Sequence, residues 1–151
     1  MKKIINSILQ GKFNEVLLEH TDPTFLDKCE LILAQAFETG SLCFYGYFEY
    51  LIKKENLAIY HYQASLILSS ALCHYEGAYQ LAYFHALEAS NIEPVDVSYK
   101  EFLLFFYNTP EKLMSVDECQ HYINEILKLD AENKTVINLL EDDSDLLRPP
   151  V

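Results

Sequence analysis

Tryptophan is absent, and glycine occurs four times and proline five times in 151 residues. So few breakers leave little room for the closely spaced turns of a many-stranded β-protein, so the elements must be long. Strict apolar/polar alternation is also scarce, whereas apolar residues recur at spacings of three and four, the period of helices. The fold class expected is all-α. Basic residues are few as well, 11 against 23 acidic, for a formal charge of −12. Non-specific nucleic-acid binding relies on lysine and arginine neutralising phosphates, and docking to anionic lipid has the same need, so both are disfavoured. The longest apolar runs, such as 102–107, fall far short of a bilayer span.

Catalytic signatures are missing too. The glycines are isolated, so no phosphate-cradling loop can form, and neither a Gly-x-Ser-x-Gly nor a His-Glu-x-x-His pattern occurs. The four cysteines (Cys29, Cys43, Cys73 and Cys119) are far apart, and Met1-Lys2-Lys3 leads into an amphipathic stretch unlike an export signal. Reduced thiols in a cytoplasmic protein are the expectation. Glu118-x-x-His121 has the spacing of one di-iron ligand pair. Such a centre needs a second pair and further carboxylates, and Glu118 already has a role as the fourth residue of a capping box opened by Ser115. Cys73 and His74 are neighbours, but adjacent helical residues point about 100° apart, too far to act as nucleophile and base. We therefore expect no enzyme activity, no cofactor and no metal.

What is present is hydrophobic mass, 50% of the chain, enough for a core without disulfides. A broken amphipathic segment spans 3–19, interrupted at Gly11. Asp22-Pro23 reads as an N-cap and first helical residue, followed by an apolar stripe of Phe25, Leu26, Cys29, Ile32, Leu33, Ala36 and Phe37. Gly40 stops this helix, and Ser41 opens another through Lys54 that is aromatic nearly all round and so is expected between neighbours. Helices at 57–74 and 77–90 follow, the second with a ridge of Ala78, Ala82, Ala86 and Ala89 that admits close approach. Asp96 caps a helix to Tyr107, Ser115 caps one to Leu129, and a last short helix holds Val136 to Leu140. That makes about seven or eight helices in a single domain over 1–141, with 142–151 as an acidic, proline-ended mobile tail.

The helices pair as 24–38 with 41–54, 57–74 with 77–90, and 96–107 with 115–129. Laying the last pair over the one before it places Ala82 on Cys119, Ala86 on Ile123, Ala89 on Ile126 and Pro94 on Ala131. The offset is about 37 residues, close to a 34-residue helical repeat. The segment from Gly77 through Ala82 and Ala86-Leu87-Glu88-Ala89 to Pro94 resembles the second half of a tetratricopeptide repeat, and so does Ile126 to Asn133, with Ala131 where that family has proline. The aromatic residue and Leu-Gly pair of the family's first helix are replaced by Leu66, Ser69 and Ser70. The resemblance covers about half the chain. It implies antiparallel pairs stacked as a short right-handed solenoid that binds a protein or peptide without cofactor. By its geometry the first helix of each pair lines a groove, with Ile67, Ala71 and His74 in one repeat and Glu101, Leu104 and Asn108 in the next.

Eleven tyrosines add contact area, although many are expected in helix seams. The function expected is a small acidic cytoplasmic inhibitor of the immunity-protein or antitoxin type that masks a basic partner protein. The alternative is a tetratricopeptide-type chaperone or adaptor holding a client's peptide segment.

Overall fold

The structure is a computed structural model in which residues 2–147 are described. It is all-α: eight α-helices with short 3-10 turns, and no strand among the described residues. Within the stretch read as one domain, the chain clusters into two compact units, one running to Ala89 and one from Ser90 onward.

The first unit begins with α1 (Lys2–Leu9). Gly11, at φ +70, ends it in a conformation that favours glycine, and a 3-10 turn follows at Phe13–Glu15. The interruption expected at Gly11 thus separates a helix from a single turn. The helix α2 (Phe25–Thr39) starts later than Asp22-Pro23 suggests, because Asp22 Oδ1 accepts from both the backbone N–H and the hydroxyl of Thr24, each at 2.8 Å. That local turn delays the first α-helical residue to Phe25. Together with the adjacent Lys28 ammonium, these bonds hold the Asp22 carboxyl down at about 2. Gly40, at φ +64, closes α2 as expected.

At the centre of the unit lies α3 (Cys43–Lys54), packed against α1, α2 and α4 (Ala58–Ser69). Phe44, Tyr47 and Phe48 are fully buried, which is why a helix aromatic on every side is stable here. Lys53 and Lys54 lie in its last turn, against the negative end of the dipole. The next helix is shorter than expected, ending at Ser69 instead of reaching residue 74. The hydroxyls of Ser69 and Ser70 both donate back to the Leu66 carbonyl, and Ser70 leaves helical geometry at φ −124 and ψ −80. Such back-bonding competes with the helix's own ladder.

After this turn comes α5 (Ala78–Ile92), whose last residues pass into the second unit. Its alanine row is fully packed, with Ala78, Ala82, Ala86 and Ala89 all buried. Opposite Ala82, Ser65 Oγ donates to the Ala82 carbonyl at 2.6 Å. Ala82→Leu should overpack this seam and lower stability by about 1–3 kcal/mol in a urea titration, whereas leucine at exposed Gln80 of the same helix should cost less.

The second unit packs α6 (Val97–Leu104) against α7 (Val116–Leu129). Asp96 caps α6 by accepting from the Ser98 amide, and Ser115 and Glu118 form the expected capping box on α7. Lys100 is buried between Glu125, at 3.2 Å, and the Ser90 hydroxyl, at 3.4 Å. The last helix, α8 (Lys134–Asp142), is capped by Asn133 and followed by a 3-10 turn at Ser144–Leu147. Residues 142–147 of the expected tail therefore end a helix and bury Leu146, whose carbonyl accepts from Gln120. Residues 148–151 of that tail lie outside the described residues.

Candidate functional site

Exposed apolar side chains are spread along the chain, and α2 and α5 each carry two of them, Leu26 and Phe37 on the first and Leu81 and Phe84 on the second; of these, Leu26 on α2 borders a groove. At 100° per residue, the expected stripe covers too much of the helix for one neighbour to bury. It divides in two. Phe25, Cys29, Ile32 and Ala36 are buried in the core, whereas Leu26 and Phe37, about 100° further round, are each 59% exposed. Leu33 on the same side is half-buried, and the exposed Glu30 stands between Leu26 and Leu33. Beside this row, α2 and α4 leave a groove of about 200 Å³ lined by Leu26, Glu30, Leu33, Tyr62 and Leu66 over a floor of Cys29. That is below the roughly 300–1,000 Å³ of small-molecule sites and suits a single inserted side chain. The charges of α2 are Asp27, Glu30 and Glu38 against Lys28, and Lys28 is paired with Asp22. No Lys, Arg, Asp or Glu lies on α4.

A second feature of the first unit is a buried polar chain crossing three helices. His61 Nε2 lies 2.8 Å from Asn56 Oδ1, so that nitrogen donates and His61 Nδ1 accepts. It accepts from His85 Nδ1–H at 2.9 Å. His85 Nε2 is then an acceptor, with the Tyr45 hydroxyl at 3.2 Å and Glu49 Oε1 at 3.1 Å. Glu49 Oε1 is itself sealed from solvent, so the contact needs one proton between carboxyl and imidazole. Burial raises the Glu49 carboxyl, burial and then the neighbouring His61 push His85 down to about 4, and burial also lowers His61. Tyr45 stays a phenol, raised to about 12 by burial and Glu49. The chain ties α3, α4 and α5 together.

The second unit carries a cleft of about 480 Å³ lined by Tyr107, Asn108, Lys112, Met114, Ser115 and Asp143. Several of its polar groups are already engaged. Tyr107 donates to Asp143 Oδ2 at 2.8 Å, and Ser115 is held by Glu118. Among the described residues, no group of three or more His, Cys, Asp or Glu converges as metal ligands would.

The residues expected along a groove fare unevenly. In the first unit, Ile67 and Ala71 belong to the core, with Ile67 only 1% exposed, because the apolar side of α4 faces α3. His74 is exposed in the turn after α4, its ring 4.5 Å from that of Tyr75, whose hydroxyl donates to the Gly40 carbonyl at 2.8 Å. In the second unit Leu104 is buried, and Glu101 accepts from the Asn133 side chain, helping to hold the cap of α8. Asn108 is exposed at the cleft. Only His74 and Asn108 of the six stand exposed, and Glu101 is half-buried. The spacing of the sequence did not reveal the His61–His85 pair, since it joins two helices through an unpredictable rotation of each. The exposed half of α2 did have a signal: a stripe wider than one contact face. No helix among the described residues is long and apolar enough to cross a membrane. Comparisons with protein-family models, with curated proteins and with solved structures find no match.

Proposed function

We propose that this chain is a non-catalytic protein-interaction module, a small acidic inhibitor of the immunity-protein or antitoxin type that binds a basic partner protein in the cytoplasm. One observation carries the reading: exposed Leu26 and Phe37 on one side of α2, with half-buried Leu33 and the exposed Glu30 carboxylate between them, on a chain of charge −12. Apolar anchors supply the affinity of such a surface, and complementary charge speeds and selects the encounter. Affinity co-purification should return a stoichiometric complex with a basic protein, and its association rate should fall steeply from low to high salt. A salt-insensitive association, or the absence of any basic partner, would rule the inhibitor reading out.

The buried alanine row of α5 supports an alternative, since a helix with so small a ridge is suited to stacking in a tetratricopeptide-type adaptor that holds a client's extended segment. Competition separates the two. An unfolded peptide from the partner should displace the partner from an adaptor, whereas an inhibitor should need the folded domain or a structured part of it.

A further inference from the structure

We propose that the Leu26–Glu30–Leu33–Phe37 face of α2 is the docking site for an amphipathic helix of the partner protein, one that carries a lysine or arginine within its apolar face, opposite Glu30. The inference rests on the interaction reading above and specifies its site and the chemistry of its occupant.

The spacing of these four residues is four, three and four, the a/d rhythm of a helix–helix seam, and it runs for about 16 Å along α2. Three of the positions are apolar: Leu26 and Phe37 are each 59% exposed and Leu33 is half-buried with one side against the core, while their counterparts Phe25, Cys29, Ile32 and Ala36 are consumed by the core. Folding therefore leaves the two ends of the face, Leu26 and Phe37, open. The adjoining α2–α4 groove is closed by Tyr62 and Leu66 and accepts one large side chain, which is how a knob from a facing helix inserts. An extended peptide would instead need a row of backbone partners, and both walls here are helices whose amides are already bonded within them.

Glu30 decides the charge of the occupant. It lies inside the seam, so a docked helix would strip water from its carboxylate, which is costly unless a cation meets it. Lys28 is not at hand to do so, being paired with Asp22. Asp27 and Glu38 lie exposed on the same helix, so further basic residues on the partner's flanks would also be favoured. A second copy of this chain fits poorly, because pairing α2 with α2 brings a second Glu30 into the same dehydrated seam. The polar seam residue thus fixes register and excludes self-pairing at once.

The test uses the full chain and a designed 18-residue helical peptide of leucine, alanine and lysine, with one lysine placed between leucines on its apolar face. Two control peptides carry the same composition in scrambled order or glutamate at the central lysine. Titration followed by the fluorescence of a label on the peptide should show the first peptide bound at least about tenfold more tightly than either control. Glu30→Lys should abolish that preference and reverse it toward the glutamate peptide, while Glu93→Lys, an equal charge change at an exposed residue of the second unit, should leave it intact. Leu26→Ala with Phe37→Ala should weaken binding about tenfold or more, and because both side chains are exposed, circular dichroism should show an unchanged helix content. Equal binding of the scrambled peptide, or indifference to Glu30→Lys, overturns the proposal. So does a concentration-dependent dimer that Leu26→Ala and Phe37→Ala disperse, since a second copy would then own the face. If a natural basic partner is captured equally well by the Glu30→Lys chain, the site fails and the interaction reading survives; if no basic partner is captured, that reading fails by itself.

Discussion

Tyr47→Ala is expected to destabilise the first unit by about 3–5 kcal/mol, the range for removing a large aromatic from a sealed core. Tyr47 is fully buried at the middle of α3, with the Phe13 ring at 5.7 Å and the Phe48 ring at 5.9 Å. Its hydroxyl donates to the Val16 carbonyl at 3.3 Å, which fastens the segment after the 3-10 turn to the central helix. Truncation opens a cavity that α1, α2 and α4 cannot fill together, since each is fixed by its own contacts with α3. Tyr47→Phe keeps the ring and deletes only the hydroxyl, so its cost should be near 1 kcal/mol. Urea unfolding of the two variants provides the check. A Tyr47→Ala loss no larger than that of Tyr47→Phe would mean that the aromatic cluster packs far more loosely than described.

Acidification from pH 7 to pH 4 should remove about 3 kcal/mol from the first unit through His85 alone. The ordinary histidine value is 6.5, and burial beside His61 brings His85 down to about 4. Between those values the unfolded chain binds the proton and the folded chain does not. Stability is therefore complete above 6.5 and is lost progressively as the pH falls toward 4. His61 is lowered as well and acts in the same direction, with Glu88 opposing that shift. Glu49 works the other way: its carboxyl is raised, so the folded state gains relative stability as the pH falls through that raised value. Tyr45 and Asn56, the remaining groups facing the pair, do not titrate in this window. The His85 shift is the largest of the three and sets the net loss. Asp22 is distinguishable because its depressed carboxyl keeps its full contribution above about 3.8 and loses it progressively as the pH falls toward about 2, below the window of His85. Urea midpoints measured across pH 4–7 should fall steeply for the native chain and less steeply for His85→Gln. Parallel slopes in the two proteins would show that the buried pair does not govern the acid response.

The fold was legible where local chemistry decides it. Gly40 at the end of α2, Asp96 before α6, and Ser115 with Glu118 before α7 all act as their residue types suggest, because each cap is settled within four residues of chain. The aromatic character of residues 44–50 likewise announced a helix enclosed by others. Boundaries failed where a short polar side chain had a rival bond available: Asp22 turned to Thr24, and Ser70 turned to Leu66. The candidate surface was legible only by halves. Periodicity identified α2 as apolar at 26, 33 and 37, yet which side of a broad stripe meets the core depends on neighbours brought in from distant parts of the chain. For the same reason Ile67 and Leu104, expected to line a groove, proved to be core residues, and Glu101 proved to brace the cap of α8.

The cysteines have a practical consequence. Cys29 is sealed in the first unit and Cys119 in the second, and burial raises their thiols to about 12 and 11. Neither thiolate forms at neutral pH while its surroundings stay closed, so each sulfur reacts with an alkylating reagent only during an opening of its own unit. The chain thus contains two stopwatches, one per unit. Cys43 and Cys73, only half-buried, supply the fast phase against which both can be read.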